Sequence, residues 1–252
     1  MREEATVLRD TGDMHAAKKG KVALVTGASS GIGMAVADAL GQAGYRVMAH
    51  GRRAERLREL AEKLDGCAWI AGDLIGDGAC EALFEAALEQ FGHVDCVVNC
   101  AGKNHVGMIG EVDVDALCEM VRINTEAAFR LTYLALKYFQ ERGVGDLIHV
   151  TSVMGYKVRE TGGGYAGTKH AVEALCEALR MELARTDIRV SCVAPGLVRT
   201  ELHRDLPVHP SITRNIEPLS PGDVATAVLW MLQTPRQINI PQLVMLPKGH
   251  VI

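Results

Sequence analysis

The 252-residue chain has no apolar run long enough to cross a bilayer, no HExxH and no CxxC. Those absences argue against a membrane-spanning helix and against zinc sites of the common spacings. Neither sign of charge dominates. The 27 Lys and Arg stand against 31 Asp and Glu, a net of −4, which leaves no electrostatic footprint for nucleic acid. The opening "MREEATVLRDTGDMHAAKKG" mixes charges of both signs and lacks an apolar core. It reads as a polar extension over residues 1–20, not as a secretory signal. Cysteines 67, 80, 96, 100, 118, 176 and 192 are odd in number and mostly lie in apolar stretches. That is the pattern of reduced thiols packed as small hydrophobes in a cytoplasmic protein. The nine histidines are scattered, so no metal site is expected.

What is present is a 48% hydrophobic, 23% charged chain in which short β-branched runs alternate with longer helical patterns. "KVALVT", "YRVMAH", "CAWIAGDL", "DCVVN", "DLIHVTS", "IRVSCVAPG" and "PQLVML" read as strands. Between them lie amphipathic segments, including a long helical stretch around 115–141, another from Tyr165 to Arg185, and a last one that a Pro-Gly pair starts in "PGDVATAVLWML". No hairpin pattern and no compositional break interrupts the alternation. The expectation is one α/β domain over 21–252, a doubly wound sheet of about seven parallel strands with helices on both faces. In such sheets ligands bind beyond the carboxyl ends of the strands, at the switch in strand order.

Three stretches at those ends carry chemistry. After the first strand comes "TGASSGIG", Thr26 to Gly33. Gly27 permits a sharp turn, Gly31 a close backbone approach, and Gly33 close seating of the following helix, whose N–H groups favour phosphate charge. "YAGTK" places Tyr165 and Lys169 four residues apart, on one helix face. The ordinary meaning of that spacing is a snorkelling surface pair. In a site, the ammonium would favour the phenolate and lower the tyrosine pKa by roughly 1–3 units, or about 1.4–4 kcal/mol. Ser152 ends the fifth strand, thirteen positions before Tyr165; alone it would be a turn residue, but beside Tyr165 its hydroxyl can serve an oxyanion.

The chain from Lys21 onward resembles the short-chain dehydrogenases/reductases. The resemblance rests on "TGASSGIG", "GDL", "NCAG", "RINT", "TSVMG", "YAGTK" and "APGLVRT", in that order; the one departure is Cys100, where the family more often has a second Asn. It implies a Rossmann-like fold and a nicotinamide dinucleotide cofactor. It also implies catalysis by Asn124, Ser152, Tyr165 and Lys169, with Asn124 ordering a water that leads from Lys169 to solvent. By the same resemblance the cofactor would lie against Gly27, Ser29, Ser30, Gly31, Ile32 and Gly33 of the glycine loop. Further contacts would come from Asp73 and Leu74, from Asn99, Ala101 and Gly102, from Tyr165 and Lys169, and from Pro195, Gly196, Val198 and Thr200. Asp73 could equally be a helix cap. NAD-preferring relatives carry an acid where this chain has Gly51, and Arg52 and Arg53 follow it. Arginine can pair with a 2′-phosphate, so NADP(H) is expected; the other reading is that both arginines begin a solvated helix.

The irregular stretch from Thr200 to Pro221 falls where family members cover the substrate. It holds His203, Arg204, His209 and Arg214, with Arg199 just before. These side chains are expected to be solvated or paired with Glu201, Asp205 and Glu217, and the other reading is that one arginine clamps an anionic substrate. Ser152, Arg159, Tyr165 and Arg204 are the substrate candidates. The C-terminal segment resembles the branch acting on small polar aldehydes and hydroxy acids, including the clavulanate-type reductases. The leading expectation is thus an NADPH-dependent carbonyl reductase, reversible as an alcohol dehydrogenase, forming a homodimer or homotetramer through its fourth and fifth helices. The alternatives are an NAD-dependent alcohol or hydroxy-acid dehydrogenase and a non-catalytic dinucleotide-binding regulator.

Overall fold

Strand β1 (Val22–Thr26) is buried at every position, and its side chains alternate between two cores. Val22 and Leu24 enter one, Ala23 and Val25 the other. A strand covered on both faces needs a helical layer on each side, and the computed structural model supplies both. It describes residues 20–203 and 216–250. The extension expected over residues 1–20 lies, apart from Gly20, outside the described residues.

The remaining strands are β2 (Arg46–Gly51), β3 (Cys67–Ala71), β4 (Cys96–Asn99), β5 (Val144–Val150), β6 (Asp187–Pro195) and β7 (Gln242–Met245). All pairings are parallel, in the order β3-β2-β1-β4-β5-β6-β7. This is the expected doubly wound, Rossmann-like sheet. Helices α1 (Gly31–Gln42), α2 (Ala54–Lys63) and α7 (Pro221–Gln233) bring Leu40, Leu57 and Val228 to one core. Helices α3 (Ala79–Phe91), α5 (Ala128–Arg142) and α6 (Gly163–Glu182) bring Phe84, Phe139 and Leu179 to the other. The Pro-Gly start of α7 is a full capping box. Ser220 accepts from the Asp223 N–H, and the Asp223 carboxylate accepts from the Ser220 N–H.

The long helix expected around 115–141 differs in its interior. It opens as α4 (Val114–Val121), capped by the Asp113 carboxylate, which accepts from the N–H groups of Asp115 and Ala116. It then widens into a π-turn at Arg122–Ala127 before α5 resumes the ordinary pitch. Such turns insert one residue into the helical repeat and frequently mark functional sites. Here the turn contains Asn124, whose side chain is buried. Helix α6 starts two residues before Tyr165, which places that residue in the first turn.

The order reverses between β1 and β4, since the chain winds outward from β1 to β3 and then returns to add β4 on the other side. The carboxyl ends of β1 and β4 lie in register there, Thr26 opposite Asn99. A crevice at this point follows from the topology.

Candidate active site

The crevice is a cleft of about 610 Å³. Its floor is built by Thr26, whose hydroxyl donates to Asn99 Oδ1 at 2.6 Å and accepts the N–H groups of Cys100 and Ala101 at 3.1 Å each. Asn99, expected among the cofactor contacts, is buried beside the cleft, with its side-chain oxygen bonded to Thr26. That oxygen joins the ends of β1 and β4. Ala101 and Gly102, just after it, line the cleft.

The glycine loop fits the linear phosphate-bearing group expected there. Gly27 has φ of +68°, and a Cβ on Gly33 would fall 2.4 Å from the Gly27 carbonyl oxygen. Only glycine lets α1 begin so close to the loop. Ser30 precedes α1 in extended conformation without a side-chain cap bond, so the first N–H groups of the helix remain available to an anion. Ser29, Ser30, Gly31, Ile32 and Gly33 all border the cleft. At its far end lie Gly51, Arg52, Arg53, Asp73 and Leu74. The Asp73 carboxylate also accepts the Ile75 N–H at 3.2 Å, so it serves the turn as well.

The two arginines differ. Arg52 is exposed and forms no hydrogen bond among the described residues. Arg53 donates to Glu201 Oε2 at 2.6 Å and to the Ser29 carbonyl at 3.2 Å, while Arg56 donates to Glu201 Oε1 at 2.8 Å. Those two guanidinium groups hold the Glu201 carboxyl down at about 2.

A smaller cavity of about 70 Å³ holds Ser152, Tyr165 and Lys169 together with Pro195, Gly196 and Val198. It is continuous with the cleft, because Ile32, Gly102 and Thr200 border both. Tyr165 is only 7% exposed, packed beside Val106 and Met120. The Lys169 ammonium lies 5.8 Å from the Tyr165 ring centroid and donates to the Val150 carbonyl at 3.1 Å. Asn124 donates to the Lys103 carbonyl at 2.8 Å and to Thr168 Oγ1 at 3.2 Å, and accepts the Lys103 N–H at 2.8 Å. It straps the segment after β4 to α6.

One expectation is corrected by the geometry. Burial, not the lysine, dominates the phenol, whose pKa is pushed up to about 12. The Ser152 hydroxyl and the charge of Arg159 act in the opposite direction but are weaker. Lys169 is not among the groups that lower it; its ammonium donates to the Val150 carbonyl, and its own pKa is drawn down by burial to about 8.

The sequence reading missed several groups. Glu173, one turn beyond Lys169, is 7% exposed, accepts from Thr151 Oγ1 and from Gln242 Nε2, and favours the charge on Lys169. The continued i, i+4, i+8 spacing from Tyr165 would have exposed it. Lys103 and Glu119 form an ion pair on the cleft wall. Of the residues in the irregular stretch, Arg199 pairs with Glu217 as expected. Arg204, His209 and Arg214 lie outside the described residues.

Comparison with known proteins agrees with this arrangement. The sequence model of the short chain dehydrogenase family matches residues 21–210. The chain belongs to the short-chain dehydrogenase family. An uncharacterized oxidoreductase of Staphylococcus epidermidis is 32% identical to it over 230 residues, covering 91% of this chain and 98% of the relative. Among solved structures, the closed form of a serine dehydrogenase complexed with NADP+ superposes with a TM-score of 0.83 at 31% identity, over 89% of this chain and 94% of its own. A 3-ketoacyl-(acyl-carrier-protein) reductase from Brucella melitensis, complexed with NADH, superposes at 0.82 and 27%, over 90% and 97%. This short-chain dehydrogenase is therefore an oxidoreductase whose cleft suits a nicotinamide dinucleotide.

Proposed function

We propose that this short-chain dehydrogenase is an NADP(H)-dependent enzyme that interconverts a small carbonyl compound and its alcohol, acting as a reductase, with Tyr165 as the acid/base. The observation that carries the reading is the meeting of Ser152, Tyr165 and Lys169 in one buried cavity continuous with the glycine-lined cleft. When bound, the dinucleotide supplies or accepts the hydride. The protein does the rest. Tyr165, whose phenol is protonated at neutral pH, gives its proton to the carbonyl oxygen. Ser152 donates to the same oxygen and orients it. Lys169 would hold the nicotinamide ribose, and Asn124 would order the water leading outward from it. Val198, in the smaller cavity, and Thr200, which borders both, would hold the carboxamide.

Cofactor choice draws on the end of β2. No acid stands at Gly51 to bond a 2′-hydroxyl, and the exposed Arg52 and the neighbouring Arg53 suit a 2′-phosphate. The NAD(H)-dependent alternative is favoured by one fact: Arg53 already has an anionic partner in Glu201. Arg159, whose charge reaches the Tyr165 phenol, supports a polar or anionic substrate such as a carboxylated aldehyde. No helix among the described residues is long and apolar enough to cross a membrane. With cysteines that are all free thiols, this supports the cytoplasmic reading. Val114, Val121 and Tyr133 expose apolar surface along α4, its π-turn junction and α5, which suits the expected pairing of these helices between protomers.

The test is a turnover screen with NADPH and NADH against aldehydes and ketones bearing a carboxylate, a sulfonate or no charge. NADPH oxidation with a preference for polar or anionic carbonyls is expected. Dinucleotide binding without turnover of any carbonyl or alcohol would favour the non-catalytic regulator and refute the proposal.

A further inference from the structure

Glu201 stands where the two halves of the site meet. It follows Val198 and Thr200 in the segment after β6, yet its carboxylate is bonded across the cleft to Arg53, which precedes α2, and to Arg56 within it. The partners are separated by 148 and 145 positions in sequence, so this is a tertiary clasp and not a local pairing. Arg53 is also fixed by the Ser29 carbonyl of the glycine loop. Ser29, Gly51, Arg52, Arg53 and Glu201 border one cleft. A carboxylate thus already sits on one of the cations that a 2′-phosphate would use, and a phosphate dianion brought to Arg53 would meet that carboxylate as well. Glu201 has somewhere to go. A second cavity, of about 880 Å³, opens on its other side, and Lys63 lines it.

We propose that Glu201 is a specificity-determining residue, an internal anion that competes with the cofactor's 2′-phosphate for Arg53 and so narrows the preference for NADP(H) over NAD(H). The inference rests on the dinucleotide reading above and deepens it. With NAD(H) the clasp stays closed, because a 2′-hydroxyl makes no strong demand on Arg53. With NADP(H) the carboxylate must give up Arg53, turning toward Arg56 alone or toward Lys63. The clasp also ties the segment after β6 to α2, so the two cofactors leave that segment differently held.

The experiment measures dissociation constants of NADPH and NADH for the purified protein and for Glu201→Gln, Arg53→Ala and the double variant, by quenching of protein fluorescence. Partly exposed ion pairs contribute up to about 1 kcal/mol, so removing the competitor should tighten NADPH about 2- to 5-fold while NADH changes less than about 1.5-fold. The gain should vanish in the Arg53→Ala background. Equal effects on both cofactors would mean that Glu201 merely braces the fold, and weaker NADPH binding in Glu201→Gln would mean that it orients the arginines for phosphate; either result overturns the inference. An unaltered protein that binds neither dinucleotide removes the functional reading too, whereas normal NADPH binding with no change in Glu201→Gln removes this inference alone.

Discussion

Gly51→Ala adds a single methyl group at the end of β2, and the structure says where it would go. The new Cβ would lie 2.6 Å from Ser29 Oγ, 2.8 Å from Ser29 Cβ and 3.1 Å from the Ser29 backbone nitrogen. Ordinary carbon contacts are about 3.5–4.0 Å, so the loop has to retreat by roughly 1 Å. Ser29 has little room to do so. It is 6% exposed, its carbonyl accepts from Arg53, and the Ala28 N–H just before it donates to the His50 carbonyl at 2.8 Å. Overpacking of this kind costs about 1–3 kcal/mol, or a fall of about 2–12 °C in Tm for a chain of this length. Because the displaced loop is the one that receives the dinucleotide, NADPH and NADH should weaken together. Adding Ser29→Gly removes the two closest atoms and should restore at least half of the loss in both stability and binding. The same clash explains why Gly51→Asp, the acid of NAD-preferring relatives, should fail alone and bind NADH only beside Ser29→Gly. Differential scanning calorimetry and cofactor titration read both effects. Wild-type melting and wild-type binding in Gly51→Ala would refute the reasoning.

Two further outcomes concern stability. Asp146, 6% exposed, accepts from Arg189 Nε at 2.6 Å and from Arg236 Nη1 at 2.8 and 2.7 Å, at the opposite end of the sheet from the site. Asp146→Ala leaves the buried Arg189 uncompensated and should cost about 3–5 kcal/mol in urea unfolding, with cofactor affinity unchanged in the folded fraction; a loss below about 1 kcal/mol would contradict it. His50 and His149 are buried, and burial draws their pKa values down to about 4 and about 3 from 6.5. A group with a depressed folded pKa lets the unfolded chain bind more protons. Stability should therefore be full above pH 6.5 and fall by up to about 1.4 kcal/mol per pH unit per histidine as pH drops toward 4. His149→Gln should flatten that slope, and an identical slope in the variant would count against the assignment.

How much of this was legible in the sequence depends on the range of the interaction. The buried run at β1, the glycine loop and the Tyr165–Lys169 spacing are local patterns, and each sits where the alternation of strands and helices placed it. The π-turn was not legible, because one inserted residue leaves the apolar pattern of α4 and α5 nearly intact; Asn124 in a helix interior was its only trace. The bond between the Asn99 side-chain oxygen and Thr26 was not legible either, because it joins two strands 73 positions apart. The state of the phenol was misjudged for a different reason. Spacing shows that a cation is near in sequence, but not that burial outweighs it or that its ammonium is directed to Val150. The Glu201 clasp and the Asp146 cluster join residues 43 to 148 positions apart, and no pattern in a single chain marks such pairs.

The central claim is that the Tyr165 hydroxyl moves the proton, and Tyr165→Phe removes that oxygen while leaving the ring among Val106 and Met120. Single-turnover reduction of the best substrate from the screen, with cofactor dissociation constant and Tm measured on the same sample, is the most direct measurement. The account predicts a rate lower by about 10²- to 10⁴-fold, with cofactor binding within a few-fold of wild type and the fold intact. A rate within a few-fold of the unaltered enzyme would contradict it.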